Sequence, residues 1–198
     1  MGKYILIVVI GYLIGNFASS YFVGKLMAKI DIREHGSGNA GATNTFRVLG
    51  AKAGAIVFVF DILKGMLATA IGLWITGDRA GAMLAGTMAV VGHNWPVLLN
   101  FKGGKGIATS FGLIIVLFPQ IALILFAVVV PLMLLTRFVS LGSITAAVLF
   151  PVLLIAYQEP LKIILLGFVI ALLAILRHKE NLVRLWEGKE NKISFKRS

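Results

Sequence analysis

The sequence has no cysteine, and charged residues make up only 14% of its 198 positions. Without cysteine, the chain has no disulfide framework, no thiolate nucleophile and no cysteine metal site. Hydrophobic residues account for 59% of the chain and the mean hydropathy is +0.94. One soluble core could not bury so much apolar surface, so the composition predicts an integral membrane protein.

Acidic residues are also scarce, with 8 Asp and Glu against 19 Lys and Arg. The basic residues lie between and after the apolar runs, which favours anionic lipid headgroups and phosphorylated substrates over nucleic acid as partners. Only Lys3 precedes the first apolar run, whereas Lys25, Lys29 and Arg33 follow it. This asymmetry predicts a retained helix with its N-terminus outside, rather than a cleaved signal peptide.

The apolar runs set the number of membrane spans. A bilayer core about 30 Å thick needs roughly 20 apolar residues in a helix. The candidate spans are 4–24, 54–76, 80–100, 106–119, 120–136, 142–158 and 160–176. The fourth is short, at about 20 Å. Residues 106–136 are alternatively one helix kinked at Pro119.

The distribution of basic residues favours seven spans over six. With seven spans, 15 of the 19 basic residues fall on one side of the membrane and only Lys3, Arg79 and Lys162 on the other. With six, the basic C-terminal tail would lie outside, against the positive-inside rule. The sequence therefore predicts an all-α polytopic membrane protein, 1–198 as a single integral membrane domain, with seven transmembrane helices. The C-terminus is cytoplasmic, and glycine-rich cytoplasmic loops form the site.

The first cytoplasmic segment (36–52) begins GSGNAGATN and formally contains G-x-G-x-x-G. No buried strand precedes it, which excludes a Rossmann fold, and Gly41 is not followed by the lysine of a Walker A loop. Its glycines can still present backbone N–H groups to a phosphate, with side-chain donors and one guanidinium nearby. The alternative is a tight turn with capping side chains. The candidate residues are Ser37, Gly38, Asn39, Thr43, Asn44 and Arg47.

The second cytoplasmic segment (92–106), GHNWPVLLNFKGGKG, again combines glycines with cations just before a predicted helix. A helix N-terminus favours an anion, so this segment is a second candidate phosphate site. His93 lies inside a span and is either a substrate ligand or a hydrogen-bonded packing residue. The other candidates are Lys102, Gly103, Gly104, Lys105 and Gly106.

The third segment (136–144), TRFVSLGSI, offers the hydroxyls of Ser140 and Ser143 beside Arg137. Its alternative interpretation is an interfacial arginine next to a capping serine. The fourth segment (177–191), RHKENLVRLWEGKEN, follows the last span. His178, Glu180 and Asn181 cluster there within about one helical turn, although a tail that contacts only anionic lipid is the alternative.

Two charges lie inside the second span. Asp61 and Lys64 are three residues apart, a spacing that lets them pair on one helix face. Buried charges are tolerated when they are paired. We expect a structural pair that supports the site, with direct contact between Lys64 and substrate as the alternative.

The cytoplasmic segments offer many phosphate donors but no paired carboxylates, which disfavours a magnesium-dependent enzyme. We predict no metal and no cofactor. A transporter would be expected to show inverted repeats and broken helices at the membrane midplane. Glycine-rich signals on one face favour an enzyme that takes a soluble phosphorylated substrate and a lipid-tailed one. A permease for a phosphorylated metabolite and a lipid-binding structural protein are the competing classes.

Four stretches carry a family resemblance: GSGNAGATNTFRVLG, FDILKG, GHNWPVLLNFKGGKG with the following IATS, and RHKENLVRLWEGKE. They resemble the signature segments of the bacterial acyl-phosphate-dependent glycerol-3-phosphate acyltransferases. The resemblance implies transfer of an acyl group from long-chain acyl phosphate to the 1-hydroxyl of glycerol 3-phosphate, giving lysophosphatidic acid. It also implies a multi-pass protein of the bacterial inner membrane, among membrane lipids, and leaves the oligomeric state open.

The resemblance also assigns roles to residues. It implies essential roles for Ser37 and Arg47, binding of glycerol 3-phosphate at Gly103, Gly104 and Gly106, and critical roles for His178 and Asn181.

The sequence also constrains the mechanism. It contains no H-x-x-x-x-D motif, so the His–Asp base of acyl-CoA-dependent acyltransferases is missing. We expect direct attack of the substrate hydroxyl, with His178 or a substrate phosphate oxygen accepting the proton.

Overall fold

The computed structural model describes residues 1–193, and within them it contains nine α-helices and no β-strand. The helices are α1 (Gly2–Gly15), α2 (Ser19–Ala28), α3 (Ala42–Thr76), α4 (Arg79–Asn94), α5 (Ile107–Leu117), α6 (Pro119–Thr136), α7 (Val139–Ala156), α8 (Leu161–Arg177) and α9 (Lys179–Trp186). Short 3₁₀ turns lie at Ile32–Glu34 and Val97–Leu99. The prediction of an all-helical protein is confirmed.

Five helical segments of the described residues are long and apolar enough to cross a membrane. They are α1 with α2, α3, α4 with its following turn, α6 and α7. A sixth is counted if α8 and α9, which are bent by 60°, form one span. The predicted fourth span corresponds to α5, which has only 11 residues and falls short of a bilayer's thickness. A multi-pass membrane protein is thus confirmed, with five or six spans by length and composition.

The predicted first span, 4–24, is interrupted in the structure. Helix α1 ends at Gly15 and α2 begins at Ser19, so the predicted span is present, as Gly2–Ala28, but consists of two helices. The Asn16 side chain donates to the Tyr12 carbonyl, four residues back, at 2.7 Å. The Phe17 carbonyl in the break accepts a hydrogen bond from Lys64 Nζ at 2.9 Å. The break therefore gives a backbone acceptor to a buried cation, which satisfies both groups away from water.

Helix α3 begins at Ala42, twelve residues before the predicted second span. The expectation of an irregular loop as far as Lys52 is therefore wrong, and Thr43, Asn44 and Arg47 lie on a helix. Gly50, at φ 84°, interrupts the helical backbone and kinks it. Glycine adopts a positive φ without a steric cost, so the residue at this position permits the kink.

The chain divides into two compact units, Met1–Phe118 (unit 1) and Pro119–Ser198 (unit 2). In unit 1, α1 packs on α4, and α3 packs on both α4 and α5. These helices approach until their backbones touch: a Cβ at Gly15 would overlap the Ala89 carbonyl, and one at Gly65 the Thr109 carbonyl. Small residues at the crossings allow this contact, as in other helix pairs in membranes.

Unit 2 is built from α6, α7, α8 and α9, each packed on the next along the chain. The described chain then leaves α9 at Trp186 and turns at Gly188, where φ is 67°. The Ile193 N–H donates to the Arg137 carbonyl at 2.9 Å. The segment after α9 is thereby held against the turn between α6 and α7.

Candidate active site

The first segment is folded around the side chain of Asn44, which is buried on the first turn of α3. Its Oδ1 accepts the Ser37 N–H at 2.8 Å, and its Nδ2 donates to the carbonyls of Ile32 and His35 at 3.1 and 3.0 Å. Gly36 has φ 62°, and a Cβ there would overlap Asn44 Oδ1. We predicted Asn44 as a phosphate donor, whereas these bonds hold the loop. Ser37 is left exposed, five residues before α3 begins.

The N-terminus of α3 is open toward this loop. Gly41 caps the helix without a side-chain hydrogen bond, and its carbonyl accepts the Thr45 N–H at 3.1 Å. The first-turn N–H groups of a helix have no intrahelical partner, and the helix dipole adds partial positive charge there. Arg47 is exposed about one turn further along. The arrangement suits an anion.

The second segment is held in place by side chains from earlier in the chain. The Asn16 Oδ1 accepts the Val97 N–H at 2.6 Å, and Arg33 Nη1 donates to the Leu99 carbonyl at 2.9 Å. Helix α5 follows Gly106, which has φ 79°, and it too lacks a side-chain cap. Unit 1 therefore contains a second open helix N-terminus, preceded by Gly103, Gly104 and Lys105.

The two segments meet at Gly104. A Cβ at this position would overlap the His93 imidazole and contact the Ala40 carbonyl, two residues before α3 begins. The Gly104 N–H donates to the His93 carbonyl at 3.1 Å, and a Cβ at Gly103 would overlap that same carbonyl. Unit 1 thus brings together the two glycine-rich segments, and the His93 imidazole packs beside Gly104 where they meet.

Lys102 lies beside a cavity of about 260 Å³ in unit 1. Arg33 donates to Asp31 at 2.6 Å, and this hydrogen bond holds the pKa of the Asp31 carboxyl below its usual value. The cavity therefore combines cations with carboxylates, which makes it less suited to a phosphate than the helix N-termini. Its lining residues are Asp31, Arg33, Glu34, Asn100 and Lys102.

The predicted ion pair inside the second span is present. Lys64 Nζ lies 2.9 Å from Asp61 Oδ1, and both side chains are almost fully buried. Ser19 donates to the same Asp61 oxygen at 2.7 Å. His93 is also buried, with Nδ1 at 2.7 Å from Lys64 Nζ. The Nδ1 atom of His93 is therefore used in a hydrogen bond within the protein.

In unit 2, the third and fourth segments meet at Glu190, a residue that the sequence analysis did not single out. Ser140 Oγ and Asn181 Nδ2 donate to Oε1 at 3.0 and 2.8 Å, and Arg184 Nε donates to Oε2 at 2.9 Å. Burial opposes ionisation of Glu190, but the hydrogen bonds from Asn181, Arg184 and Ser140 outweigh it. They hold the pKa of the Glu190 carboxyl below its ordinary value.

The remaining candidates of unit 2 have separate contacts. His178 is buried at the bend between α8 and α9, with Nδ1 2.7 Å from the Ala174 carbonyl. Ser143 Oγ donates to the Val139 carbonyl at 2.9 Å. Glu180 is exposed and its Oε2 lies 3.9 Å from Arg184 Nη1. A surface pair at this distance contributes little to stability, so Glu180 does not organise the cluster.

Comparison with known proteins identifies the family. The sequence model of the family described as Glycerol-3-phosphate acyltransferase matches residues 5–188. The chain belongs to the glycerol-3-phosphate acyltransferase family. It is 48% identical to the glycerol-3-phosphate acyltransferase of Thermoanaerobacter pseudethanolicus, over 97% of this chain and 96% of that protein. It is 47% identical to that of Alkaliphilus metalliredigens, over 98% of each.

Solved structures of the family share the fold. The chain is similar to the crystal structure of PlsY (YgiH), an integral membrane glycerol 3-phosphate acyltransferase, in the glycerol 3-phosphate form. The TM-score is 0.91 with 38% identity over 96% of each chain. The lysophosphatidic acid form of the same protein gives a TM-score of 0.89, again with 38% identity, over 96% of this chain and 95% of that one.

The Glu190 contacts predict how the stability of this family member depends on pH. Because the folded pKa lies below the ordinary value of about 4.5, the ionised carboxylate stabilises the fold above that pH. The contribution is lost as pH falls from there through the lowered folded value. Glu190→Gln should cost about 1–3 kcal/mol at pH 7. It should also flatten the loss of thermal stability of the detergent-solubilised protein between pH 5 and pH 3.

Glu187→Gln is the matched control, because Glu187 is exposed and pairs only with the exposed Lys189 at 3.0 Å. This control should unfold like the wild type at every pH. If the thermal stability of Glu190→Gln falls between pH 5 and pH 3 as steeply as that of the wild type, Glu190 does not stabilise the fold through its charge.

Proposed function

We propose that the chain transfers a fatty acyl group from long-chain acyl phosphate to the sn-1 hydroxyl of glycerol 3-phosphate, releasing lysophosphatidic acid and inorganic phosphate. Membership of the glycerol-3-phosphate acyltransferase family supports the acyltransferase activity and its acceptor. The related PlsY has been solved in forms with glycerol 3-phosphate and with lysophosphatidic acid. Glycerol 3-phosphate and lysophosphatidic acid are the acceptor and the product of the proposed reaction.

The observation that carries the proposal is the contact in unit 1 between the two glycine-rich segments that precede the open N-termini of α3 and α5. The α3 and α5 termini follow glycine-rich segments that touch at Gly104 and Ala40. Backbone N–H groups and positive ends of two helix dipoles there suit phosphate groups. Arg47 and Lys105 supply positive charge, and Ser37 an exposed hydroxyl, on the same segments. A reaction between two phosphorylated substrates needs such a surface.

Acyl phosphate is the donor that the chain's chemistry favours. It is a mixed anhydride whose phosphate leaves readily, so no covalent acyl-enzyme is required, and the chain has no cysteine to form one. The acceptor's hydroxyl oxygen bonds to the acyl carbonyl carbon, and the bond from that carbon to the phosphate oxygen breaks. The hydroxyl proton passes to His178 or to a phosphate oxygen. Backbone N–H groups stabilise the developing oxyanion.

The geometry of His178 suits a base. The Ala174 carbonyl can only accept a hydrogen bond, so His178 Nδ1 carries the proton that forms the 2.7 Å contact. In the neutral ring the lone pair therefore lies on Nε2, the nitrogen that would take the proton. Asn181, whose amide is oriented by Glu190 at 2.8 Å, is the proposed neighbouring donor.

We also propose the seven-span topology, with the N-terminus outside, α5 as the short fourth span, and the site on the cytoplasmic side of the bacterial inner membrane. The positive-inside rule supports it, because the alternative with six spans moves the basic C-terminal tail outside. The structure separates α5 from α6 at Phe118 rather than joining them in one kinked helix. Helix α5 packs on α3 and α4, so its ends can lie inside the membrane against protein rather than lipid.

The donor is tested with purified protein in detergent and labelled glycerol 3-phosphate. Acyl phosphate should give lysophosphatidic acid and phosphate in equal amounts, whereas acyl-CoA should give neither. Arg47→Met should lower kcat/KM about tenfold or more, because a phosphate loses its charged partner. Lys52→Met, also exposed on α3, should retain activity. Equal rates with acyl-CoA would contradict the donor assignment, and uptake into vesicles without product would indicate a permease.

The proton acceptor is tested with His178→Ala. If His178 is the base, kcat should fall about 100-fold or more while the KM for glycerol 3-phosphate stays within about twofold. Lys179→Ala, the exposed neighbour, is the matched control and should keep both constants. A nearly normal kcat in His178→Ala would assign the role to a substrate phosphate instead.

The topology is tested by single cysteines in a chain that has none of its own. A membrane-impermeant maleimide added to intact spheroplasts should label Gln158→Cys, between α7 and α8, and leave Lys52→Cys and Glu187→Cys unlabelled until lysis. All three positions are exposed. Six spans would reverse the result at Gln158 and Glu187 while leaving Lys52 unchanged, so Lys52→Cys serves as the internal reference.

A further inference from the structure

Three ionisable side chains are buried together in unit 1, and two of them, Lys64 and His93, line a small cavity with Ala40 and Gly103. Asp61 and Lys64 come from α3 and His93 from α4, and their exposed fractions are only 2%, 4% and 7%. The mechanism above uses none of them. Groups of this kind are costly to bury unless every hydrogen-bonding site is satisfied.

The ammonium of Lys64 fixes the hydrogen-bond directions of this cluster. It has three donors and contacts three acceptors: Asp61 Oδ1 at 2.9 Å, the Phe17 carbonyl at 2.9 Å and His93 Nδ1 at 2.7 Å. Since the ammonium has no lone pair, its 2.7 Å contact is a hydrogen bond only when Nδ1 of His93 accepts, which places the ring proton on Nε2. The same Nδ1 lies farther from Asp61 Oδ1, at 3.5 Å, so its contact with Lys64 is the shorter of the two.

The other edge of the imidazole contacts the glycine turn, which we define as Gly103–Gly104. A side chain at Gly104 would overlap His93 Nε2, so the ring fills the space beside the turn. The backbone of His93 contacts the same turn, because its carbonyl accepts the Gly104 N–H at 3.1 Å. The orientation of His93 and the shape of the glycine turn are therefore coupled.

We propose that Asp61 and Lys64 are positioning residues for binding of glycerol 3-phosphate, which they support without contacting it. They hold His93 in the Nε2–H tautomer, and His93 in turn sets the glycine turn that receives the phosphate. The inference rests on the proposed function of that turn. It assigns to the buried pair an effect on acceptor affinity rather than on the acyl-transfer step.

The effect follows from how glycine turns bind anions. Backbone N–H groups hold a phosphate only when they converge, and a glycine turn has no side chains of its own to fix it. When the ammonium is removed, His93 Nδ1 loses its donor, and either ring nitrogen can carry the proton. The nitrogen that packs against Gly104 then no longer carries a fixed proton, and the conformation of the glycine turn varies. Binding of glycerol 3-phosphate is weakened as a result.

The tautomer is measured directly by NMR of the full-length protein, labelled with ¹⁵N-histidine, in detergent micelles. The chain has three histidines, so His93→Gln assigns the His93 signals. At neutral pH the wild type should show a neutral His93 ring protonated on Nε2. A ring protonated on Nδ1, or on both nitrogens, overturns the proposal without any need for a further variant.

The functional arm uses Asp61→Asn/Lys64→Met, which removes both charges together and leaves no unpaired ion. The His93 signals should shift to mixed tautomers. The KM for glycerol 3-phosphate and its dissociation constant by calorimetry should rise about tenfold, with kcat within about threefold. Thr69→Val, a buried position on α3 whose hydroxyl bonds only within the helix at 2.8 Å, is the matched control.

The outcomes separate the possible roles. A change of tautomer with unchanged affinity, or a loss of kcat with unchanged KM, overturns the positioning role, because both place the pair outside acceptor binding. A wild-type protein that binds glycerol 3-phosphate but makes no lysophosphatidic acid contradicts the proposed reaction instead. In that case calorimetry on the same variants still decides the positioning role.

Discussion

The buried ammonium of Lys64 is the constraint on which much of unit 1 depends. Without water, it needs three acceptors, and the fold provides one from each of three elements. The break between α1 and α2 leaves the Phe17 carbonyl available, α3 provides Asp61, and α4 provides His93. Leaving one partner of a buried ion pair unmatched costs about 3–5 kcal/mol, so the helix break and the histidine orientation are consequences of one requirement.

Close contact between helix backbones also determines much of the structure of unit 1. Glycines let α1 approach α4, and α3 approach α5, until main-chain atoms touch. The same small residues continue into the segments before α3 and α5, where they leave helix N-termini without side-chain caps. A phosphate site built from N–H groups needs few charged side chains. The proposed site would therefore let so apolar a chain bind phosphorylated substrates with little cost of burying charge.

The sequence predicted features whose signal is local. Long apolar runs predicted the helices, and the spacing of Asp61 and Lys64 predicted their contact, because both depend on helix geometry alone. The early start of α3 was missed because it involves the bonds of Asn44 to the preceding loop rather than an apolar run. The break after Gly15 was missed because the Phe17 carbonyl bonds Lys64, far along the chain. Glu190 was missed for the same reason: Asn181, Ser140 and Arg184 converge on it only after the chain turns at Gly188.

The polar residues of the four candidate segments therefore divide into two kinds that sequence alone does not distinguish. Asn44 and Ser140 have the side chains expected of phosphate ligands, yet they are buried and bind the protein's own loops. Ser37 and Arg47 are exposed on the same kind of segment. A short loop cannot hold its shape without internal hydrogen bonds, because its backbone is not satisfied by a helix or sheet. A phosphate-binding loop must therefore contain more donors than its ligand uses, and burial separates those that build the loop from those that can meet substrate.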